Sequence, residues 1–598
     1  MTRDSEEDGG RMEENEEGEG EEYNVSEGGE GEEEQQEEEE DRERVDKKKL
    51  KKGDRIKGKE IETGENKRME ILSRAGKMKS LKYGESYNVR DLEDGTEGWV
   101  NLKEWIELEK IEDEEEILLG YEDEKIRKAK RKEIQSWEEN GVFEEVMDDG
   151  QKAISTRWII TEKLKKEGKI CKARLVARGF EEEEINKELD APTCRVETLK
   201  MTIAIILNQG WKCRNIDIKT AYLQGDEIKR DVWVKPPMEA ETDNLWKLKK
   251  TVYGLKDAAR AWYDTVTRVL ENLGGKRCDV EPALFYWRTK GGEIQGVMCI
   301  HVDDFCWGGV KDFEETVISK LRHDLRVGEE GEAIFKYLGV NIEQRENETI
   351  MEQKNYIKML EEVDEKRYKG SRELNRKEMR KYRSLIGQMN WVANQTRPDV
   401  AFTVSDLSRK NKSANTEDMR RAIKKVKRVK EKEREIRLKR LGKDKFIECY
   451  SDASYGNIDK EKSQIGYFIG VADKEGNRCP IYWKSRCAKR VARSTIEAET
   501  MGLCEAAESA IYIRHMWKTT TGEELPIVCR IDSKTLRTAL DSTSAVESKR
   551  LRIDIASMKE MIEKGEIERV EWVNTKDQKA DILTKEGVNE KSLEGLVY

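Results

Sequence analysis

The stretch Val297–Trp307 reads Val-Met-Cys-Ile-His-Val-Asp-Asp-Phe-Cys-Trp and places two adjacent carboxylates, Asp303 and Asp304, inside an apolar run. The β-branched and aromatic residues on either side predict two strands joined at the acidic pair. An Asp pair at the tip of a buried hairpin is costly, because like charges so close together resist joint ionisation. Divalent cations between the carboxylates would make the arrangement tolerable.

A third aspartate has the same setting earlier in the chain. Asp217 stands between Ile216 and Ile218, so on a strand the two isoleucines would face one side and Asp217 the other. Three carboxylates on two neighbouring strands are what a two-metal phosphoryl-transfer site needs, with ions about 3.5–4 Å apart holding the attacking and leaving oxygens. The spacing therefore predicts this type of site.

Charge is unevenly distributed along the 598 residues, a length that predicts three or four domains. Residues 1–46 hold 23 Asp/Glu and 4 Lys/Arg, whereas the rest of the chain holds 103 Asp/Glu and 110 Lys/Arg. The net charge of the whole chain is −12. We expect residues 1–46 to be a disordered acidic tail, either simply solvated or bound to a basic protein. The mildly basic body suits a nucleic-acid partner.

The cysteines and histidines exclude several kinds of site. The 11 cysteines include no Cys-x-x-Cys pair, which argues against a disulfide framework and a zinc finger, and three histidines are too few for a His-rich metal site. Scattered thiols indicate a reducing, intracellular environment. No signal peptide or membrane span is visible, so we expect no membrane partner.

The pattern of charge and apolar residues divides the chain into segments. After the tail, residues 47–121 predict a small β-rich linker module, and residues 122–410 form the largest globular block. Residues 411–445 are dense in Lys, Arg and Glu and predict a basic connection helix, either merely exposed or tracking phosphates. Residues 446–598 show three strands, a helix and a further strand, which is an α/β order.

Several motifs in the large block resemble reverse transcriptases of the copia (Pseudoviridae) class of retrotransposons. Ile216–Gly225 (Ile-Asp-Ile-Lys-Thr-Ala-Tyr-Leu-Gln-Gly) resembles the first catalytic motif of that class, and His301–Asp304 resembles its Tyr-x-Asp-Asp box. Other similar segments are a fingers strand, a substrate-binding helix, a primer-contacting hairpin and two later signatures: Lys172–Phe180, Tyr253–Tyr263, Lys336–Val340, Tyr382–Gly387 and Thr396–Asp399. The resemblance implies an α+β fold of palm, fingers and thumb.

The resemblance also implies roles for the carboxylates. Asp217 and Asp303 would hold two Mg²⁺ (or Mn²⁺) ions, and Asp304 would be catalytic but more peripheral. Two residues depart from the class, because His301 stands where Tyr is usual and Asp257 where Gln is usual. A protonated His301 would crowd the metal site, and an inward-pointing Asp257 would repel a triphosphate, so turnover rather than fold is in question.

Four further residues are candidate substrate contacts. In the class, the aromatic at Tyr222 is a steric gate against ribonucleotides, although a core tyrosine is the alternative. Lys172 and Arg174 would contact the triphosphate, or else form a solvated face of a basic strand. Lys256 belongs to the segment that resembles the substrate-binding helix.

The C-terminal block resembles the ribonuclease H domain that follows the polymerase in the same class. Segments at Tyr450–Ser454, Arg493–Glu499, Arg530–Ser533 and Ala580–Lys585 carry the resemblance. It implies two Mg²⁺ ions held by four carboxylates, namely Asp452, Glu499, Asp532 and Asp581. Among neighbouring acids we expect Glu497 to lie on the surface, Asp577 to be a weaker candidate than Asp581, and Asp554 to be structural.

Together these features predict an RNA-directed DNA polymerase with coupled RNase H activity. Its partners would be an RNA template, a DNA primer, dNTPs and an RNA–DNA hybrid, in a cytoplasmic particle or the nucleus. The alternatives are a catalytically impaired or domesticated Pol remnant that binds nucleic acid without turnover, and an interaction protein that acts through its acidic tail. No zinc knuckle, protease box or integrase motif is visible, which indicates a partial Pol product.

Overall fold

The computed structural model describes the following residues: 55–60, 66–74, 86–91, 97–101, 105–110, 113–165, 168–183, 189–458, 462–543, 546–588 and 593–598. The tail expected at 1–46 lies outside the described residues. The chain divides into two compact units, one of residues 1–129 with 162–172 and one of residues 130–161 with 173–598. Among the described residues, no helix combines the length and the apolar character needed to cross a bilayer.

The first unit contains a five-stranded sheet. Its strands are β1 (Arg55–Glu60), β2 (Asn66–Arg74), β3 (Ser86–Asp91), β4 (Glu97–Asn101) and β5 (Trp105–Lys110). All neighbours pair antiparallel in the order β4-β3-β2-β1-β5. Helix α1 (Asp113–Glu139) follows.

The next part of the chain alternates short strands with helices. Its elements are β6 (Phe143–Val146), β7 (Ala153–Ile154), β8 (Thr156–Lys165), β9 (Gly168–Ala177), α2 (Val196–Asn208), β10 (Arg214–Ile218), β11 (Trp233–Val234), β12 (Leu245–Leu248) and α3 (Ala258–Asn272). Strands β6-β12-β11-β7 form a four-stranded sheet, and β8 pairs with β9.

Residues 276–352 complete a six-stranded central sheet. They form β13 (Lys276–Arg277), β14 (Leu284–Arg288), β15 (Ile294–His301), β16 (Asp304–Gly309), α4 (Lys311–Phe313), α5 (Ser319–Asp324), β17 (Val327–Glu332), β18 (Ile334–Tyr337), β19 (Val340–Gln344) and β20 (Glu348–Glu352). The central sheet has the order β13-β14-β15-β16-β10-β17. The hairpin predicted around Asp303 and Asp304 is confirmed, because β15 and β16 pair antiparallel on either side of it.

Residues 354–439 contain four helices and one strand: α6 (Lys354–Met359), α7 (Arg376–Gln395), α8 (Ala401–Ser408), α9 (Thr416–Glu431) and β21 (Ile436–Lys439). The prediction of a helix through 411–445 is wrong at both ends. The helix starts after the cap residue Asn415 and ends at Glu431. Residues 436–439 alternate buried Ile436 and Leu438 with more exposed neighbours, a strand period hidden among the charges, and they pair with β20.

The C-terminal sheet mixes antiparallel and parallel pairing. Its elements are β22 (Lys445–Ile458), β23 (Lys462–Asp473), β24 (Arg478–Cys487), α10 (Thr495–Thr521), β25 (Ile527–Ile531), α11 (Lys534–Asp541), α12 (Lys549–Glu563) and β26 (Arg569–Trp572). The order is β24-β23-β22-β25-β26, with β25 parallel to both its neighbours. The three strands, helix and strand expected from residue 446 onward are present.

The central and C-terminal sheets share one hydrophobic core. Across their junction, Thr198 Oγ1 and Tyr512 Oη both donate hydrogen bonds to Glu281 Oε2, at 2.8 and 3.0 Å. Lys200 is fully buried there, with its Nζ 3.5 Å from the centre of the Trp483 ring. This contact joins helix α2 to strand β24, so the two sheets pack as parts of one body.

Candidate active sites

The aspartates of the central sheet meet at the end of the β15–β16 hairpin. Antiparallel pairing of β10 with β16 sets Asp217 directly opposite Asp304, which puts both side chains on the same face of the sheet. Asp303 occupies the two-residue turn, and its carbonyl oxygen accepts a hydrogen bond from the Ile218 N–H at 2.8 Å. The backbone therefore gathers the three aspartates at one corner of the sheet.

The turn that carries Asp303 is strained and held from two sides. Val302 has φ of +54°, a conformation that a β-branched residue rarely adopts. The Trp262 indole N–H donates a hydrogen bond to the Val302 carbonyl oxygen at 2.7 Å, and the Tyr337 hydroxyl donates one to the Asp304 carbonyl oxygen at 3.0 Å. Backbone strain of this kind persists where the surroundings over-determine it, and it is concentrated at functional sites.

An aromatic pair lies next to this corner. The Tyr222 ring packs edge-on against Tyr253, with 5.0 Å between ring centres, and the Arg174 guanidinium lies 5.3 Å from the Tyr253 ring centre. Burial, together with the charge of Asp303, raises the pKa of the Tyr222 phenol. Tyr222 thus lies within reach of the Asp303 charge, and Arg174 lies against the other ring of the aromatic pair.

The two basic candidates on strand β9 point to solvent. Lys172 and Arg174 are exposed, whereas Ala173 and Leu175 between and beside them are buried. Lys256 is held by Glu182. The Lys256 N–H donates to Glu182 Oε2 at 2.8 Å, and its Nζ donates to the Glu182 carbonyl oxygen at 3.1 Å. The exposed strand face leaves Arg174 accessible, whereas Lys256 is already engaged.

Both departures from the class have a local explanation. The Asp257 carboxylate is turned to Arg230, which donates two hydrogen bonds to it at 3.0 and 2.7 Å and lies 2.8 Å from Glu182 Oε1. Its charge is therefore neutralised by a neighbouring side chain. Burial lowers the pKa of His301, which disfavours the protonated form expected to crowd the aspartates.

A second carboxylate group lies in the C-terminal sheet. Asp452 is on β22, Glu499 is on the second turn of α10, and Asp532 directly follows β25. One carboxylate oxygen of each lies within 4.8 Å of the others, and in the part of the chain that the structure describes this is the one group of three acidic, His or Cys residues that meets this distance. Asp217, Asp303 and Asp304, taken as three, do not meet this distance.

The second group is largely buried, and its carboxylates repel one another. Asp452 and Glu499 are 1% and 6% exposed. Burial, opposed by Lys585 and reinforced by Asp581, raises the pKa of Asp452 to about 6, and burial with the charges of Asp452 and Asp532 raises that of Glu499 to about 9. Glu499 Oε2 is buried without a hydrogen-bond partner. Such a donor set fits divalent cations, which prefer carboxylate oxygens.

The fourth predicted acid, Asp581, is near this group but outside the close cluster. Lys585 Nζ lies 2.6 Å from Asp581 Oδ1 and 3.3 Å from Asp452 Oδ2, so one lysine bridges two carboxylates. Although burial alone would lower it, the pKa of Lys585 is raised by Asp452 and Asp581. The Thr584 hydroxyl also hydrogen-bonds Asp452 Oδ2. Asp577 lies in a separate helical turn, Thr575–Asp577.

Comparison with known proteins agrees with the motifs of the central sheet. Residues 141–366 match the family described as reverse transcriptase (RNA-dependent DNA polymerase). Residues 141–366 are a copia-type reverse transcriptase domain. This domain contains Asp217, Asp303 and Asp304, whereas the second carboxylate group lies beyond the matched range.

Similar proteins include three retrotransposon polyproteins from plants. The chain is 26% identical over 509 residues to the Retrovirus-related Pol polyprotein from transposon TNT 1-94 of Nicotiana tabacum. The aligned region covers 79% of the chain and 37% of the relative. The chain is also 26% identical to those from transposons RE1 and RE2 of Arabidopsis thaliana, over 72% of the chain and 30% and 31% of the relatives. The chain thus spans about a third of the length of these relatives.

One expectation about the neighbouring acids is wrong. Glu497 is 1% exposed rather than on the surface. Ser494 caps helix α10, since its hydroxyl accepts from the Glu497 N–H at 3.3 Å, and Glu497 Oε2 accepts from the Arg493 N–H at 3.0 Å, so Glu497 is engaged at the start of the helix. The Ser-x-x-Glu spacing from Ser494 was the sequence signal for this role.

Several residues around the two sites carry no motif of their own. Thr575 Oγ1 donates to Asp532 Oδ2 at 3.0 Å, and the Trp572 indole N–H donates to the Asp532 carbonyl oxygen at 2.9 Å. In the reverse transcriptase domain, Arg230 lies against Asp257, and Gly328 lies against Asp217. These partners are far from the acids in sequence, and no short-range pattern indicates them.

Proposed function

We propose that this protein is an RNA-directed DNA polymerase with coupled RNase H activity, and that it copies retrotransposon RNA into DNA by two-metal phosphoryl transfer. The observation that carries the proposal is the convergence of Asp217, Asp303 and Asp304 at one corner of the sheet in the matched reverse transcriptase domain. Its substrates would be an RNA template, a DNA primer and dNTPs. Its free thiols suit an intracellular setting.

Asp217 and Asp303 would hold two Mg²⁺ or Mn²⁺ ions in the polymerase site. Mg²⁺ is usually bound through one or two carboxylates with substrate phosphates completing its shell, so a close third protein ligand is unnecessary. Bound ions would lower the pKa of the attacking hydroxyl and neutralise charge on the phosphates. The fixed turn at Val302 positions Asp303, and Arg174 offers a cation to the triphosphate on the exposed face of β9.

The RNase H proposal rests on the second carboxylate group. Asp452, Glu499 and Asp532 would hold the ions, with Asp581 at the edge. Support comes from the partnerless Glu499 oxygen and from a raised carboxyl pKa, because a buried acidic cluster of this kind is stabilised by a cation. The parallel pairing of β22 with β25 brings Asp452 on β22 near Asp532, which directly follows β25.

A remnant that binds nucleic acid without turnover is the second candidate. His301 in place of the usual Tyr favours it, since the residue adjoins the aspartate turn. The other argument for a remnant is repulsion between Asp257 and a triphosphate. Arg230 weakens this argument, because it neutralises Asp257.

The test is a reciprocal pair of variants of the full chain. Asp303→Asn should abolish primer extension on poly(rA) and leave cutting of the RNA strand of a hybrid intact. Glu499→Gln should abolish cutting of the RNA strand and leave primer extension intact. Both variants should melt close to the unaltered protein, because each exchange preserves shape. Extension by Asp303→Asn at the unaltered rate would contradict the polymerase site. Absence of both activities in the unaltered chain, with hybrid binding retained, would favour the remnant.

A further inference from the structure

The side chain of Gln224 bridges two separate segments of the reverse transcriptase domain. Its Nε2 group donates hydrogen bonds to the carbonyl oxygens of Lys219 and Arg326, at 2.6 and 3.2 Å. Its Oε1 accepts a hydrogen bond from the Arg326 N–H at 2.7 Å. Because the amide nitrogen meets two acceptors and the amide oxygen meets a donor, the orientation of the side chain is fixed. These three hydrogen bonds, which we call the Gln224 bridge, join residues 102 positions apart in the chain.

The first segment of the Gln224 bridge carries Tyr222. Tyr222 lies in a short helical turn, Ala221–Gln224, that follows Thr220. Thr220 has φ of +46°, a conformation that β-branched residues rarely adopt, and such strain persists where the surrounding contacts over-determine it. The bridge supplies one of these contacts, because it holds the carbonyl group of Lys219, immediately before Thr220. It therefore helps to fix the place of the turn that carries Tyr222.

The second segment of the bridge leads to Asp217. The Lys219 N–H donates to the Arg326 carbonyl oxygen at 3.0 Å, which extends the pairing of β10 with β17 by one residue. Two residues after Arg326, Gly328 lies against the Asp217 carboxylate. One side chain therefore connects the turn that carries Tyr222 with the strand that packs on Asp217.

Burial separates the role of Gln224 from that of the residues beside it. Ala221 and Leu223 are buried, and Leu223 belongs to an apolar cluster of the core. Gln224 is partly exposed, and the three hydrogen bonds of its bridge all go to backbone groups. The turn should therefore stay folded through its apolar anchors when Gln224 is replaced, while its position relative to β17 becomes less fixed.

We infer that Gln224 is a positioning residue of the polymerase site, and that through Tyr222 it contributes to the choice between deoxyribonucleotides and ribonucleotides. The inference rests on the proposed polymerase function, in which Tyr222 meets the sugar and Asp217 holds an ion. A misplacement of about 1 Å can cost about 10²-fold in rate. Loss of the Gln224 bridge should therefore alter nucleotide selection and the KM for the nucleotide, beyond any change in folding.

The test uses two replacements of Gln224 in the full chain. Gln224→Met keeps the length of the side chain and removes its hydrogen-bonding amide. Gln224→Glu keeps an acceptor for the Arg326 N–H, but it sets an ionised carboxylate against two carbonyl oxygens. Gln151→Met is the matched control, because the Gln151 amide likewise accepts from a backbone N–H, at 2.8 Å, and donates to a carbonyl oxygen, at 3.2 Å, both within its own exposed loop.

Single-nucleotide extension of an oligo(dT) primer on poly(rA) measures the kinetic constants for dTTP and for UTP. In Gln224→Met, we expect the KM for dTTP and the ratio of UTP to dTTP incorporation to rise by about 10-fold, the lower end of what one steric contact supplies. Gln224→Glu should change both values at least as much, and Gln151→Met should change neither. The melting temperature should stay close to that of the unaltered chain in all three variants. An unchanged KM and ratio in Gln224→Met would overturn the inference, as would a lower melting temperature with an unchanged ratio.

Failure of the positioning role and failure of the proposed function have different signatures. If the unaltered chain extends the primer and Gln224→Met keeps its KM and its ratio of UTP to dTTP, the positioning role fails and the function stands. If the unaltered chain extends no primer with Mg²⁺ or Mn²⁺, the proposed function fails, and hydrogen exchange then decides on the bridge. Exchange of the Lys219 amide, which donates to Arg326, should be faster in Gln224→Met than in Gln151→Met. Equal exchange in the two variants would mean that the bridge positions nothing.

Discussion

The Asp217 carboxylate lies so close to Gly328 that a Cβ atom on this glycine would fall 2.2 Å from Asp217 Oδ2. Gly328 is on β17, which pairs with β10 through a register shift between Ile216 and Ile218. The bulge and the missing side chain together make room for the carboxylate at the sheet corner.

Replacement of this glycine should therefore disable the proposed polymerase site without unfolding the domain. In Gly328→Ala, the methyl group displaces the Asp217 carboxylate, and a displacement of about 1 Å can cost about 10²-fold in rate. We expect primer extension to fall by about that factor. Gly387→Ala is the control, since nothing lies within 4 Å of a Cβ there. Normal extension by Gly328→Ala would contradict the role assigned to Asp217.

Arg230 should matter more than either of its acidic partners. Arg230→Gln leaves Glu182 and Asp257 without their shared cation, which we expect to lower the free energy of unfolding by about 1–3 kcal/mol. Asp257→Gln should cost less, because Arg230 keeps its ion pair with Glu182. Denaturant unfolding of the two variants would measure the loss of folding free energy in each. A larger loss from Asp257→Gln than from Arg230→Gln would reverse this order.

Tyr222 should select the sugar of the incoming nucleotide. Tyr222→Val removes the ring that packs on Tyr253 and opens space beside the proposed nucleotide position. The ratio of rNTP to dNTP incorporation should rise by about 10- to 200-fold, the range that one steric contact supplies. Tyr222→Phe keeps the ring and should behave like the unaltered protein. If both variants keep the original ratio, the ring only packs in the core.

Local sequence patterns predicted the elements better than the contacts between them. The apolar alternation around Asp303 predicted the hairpin, and the isoleucines beside Asp217 predicted its strand, because each pattern lies within a few residues. Dense charge concealed the end of helix α9 at Glu431, since the strand that follows shows only two apolar residues. A two-residue alternation is too short to outweigh a continuous run of helix-favouring Lys, Arg and Glu.

Long-range partners could not be predicted in the same way. The packing of Gly328 on Asp217 depends on a bulge between strands that are distant in sequence. The hydrogen bond from Thr575 to Asp532 depends on a turn after β26. The group of Asp452, Glu499 and Asp532 was assembled from resemblance to known motifs, and its burial follows only from the packed sheet.

Thr575 and Trp572 should orient Asp532 as a cation ligand. Thr575→Val removes the hydroxyl that donates to Asp532 Oδ2 and keeps the side-chain shape. Loss of such a supporting hydrogen bond typically weakens metal binding by about 10- to 100-fold. Calorimetric titration with Mn²⁺ in an Asp303→Asn background isolates this site from the polymerase site.

Matched substitutions separate the two supporting contacts. Thr575→Ser retains a hydroxyl and should bind Mn²⁺ normally, whereas Trp572→Phe loses the N–H that donates to the Asp532 backbone and should weaken binding less than Thr575→Val. Mn²⁺ binding by Thr575→Val equal to that of the unaltered chain would show that Asp532 needs no such support.

Lys200 should make stability depend on pH. Burial lowers its pKa well below the ordinary value, so the folded chain gives up the Lys200 proton at a lower pH than the unfolded chain, whose lysine pKa is about 10.4. The free energy of unfolding should therefore rise as pH increases towards about 10.4, and Lys200→Met should flatten this rise and stabilise the protein most at the lower pH. Exposed Lys474→Met is the control for loss of one lysine. Denaturant unfolding across this pH range measures the difference, and parallel profiles for unaltered chain and Lys200→Met would mean that Lys200 stays protonated over the Trp483 ring.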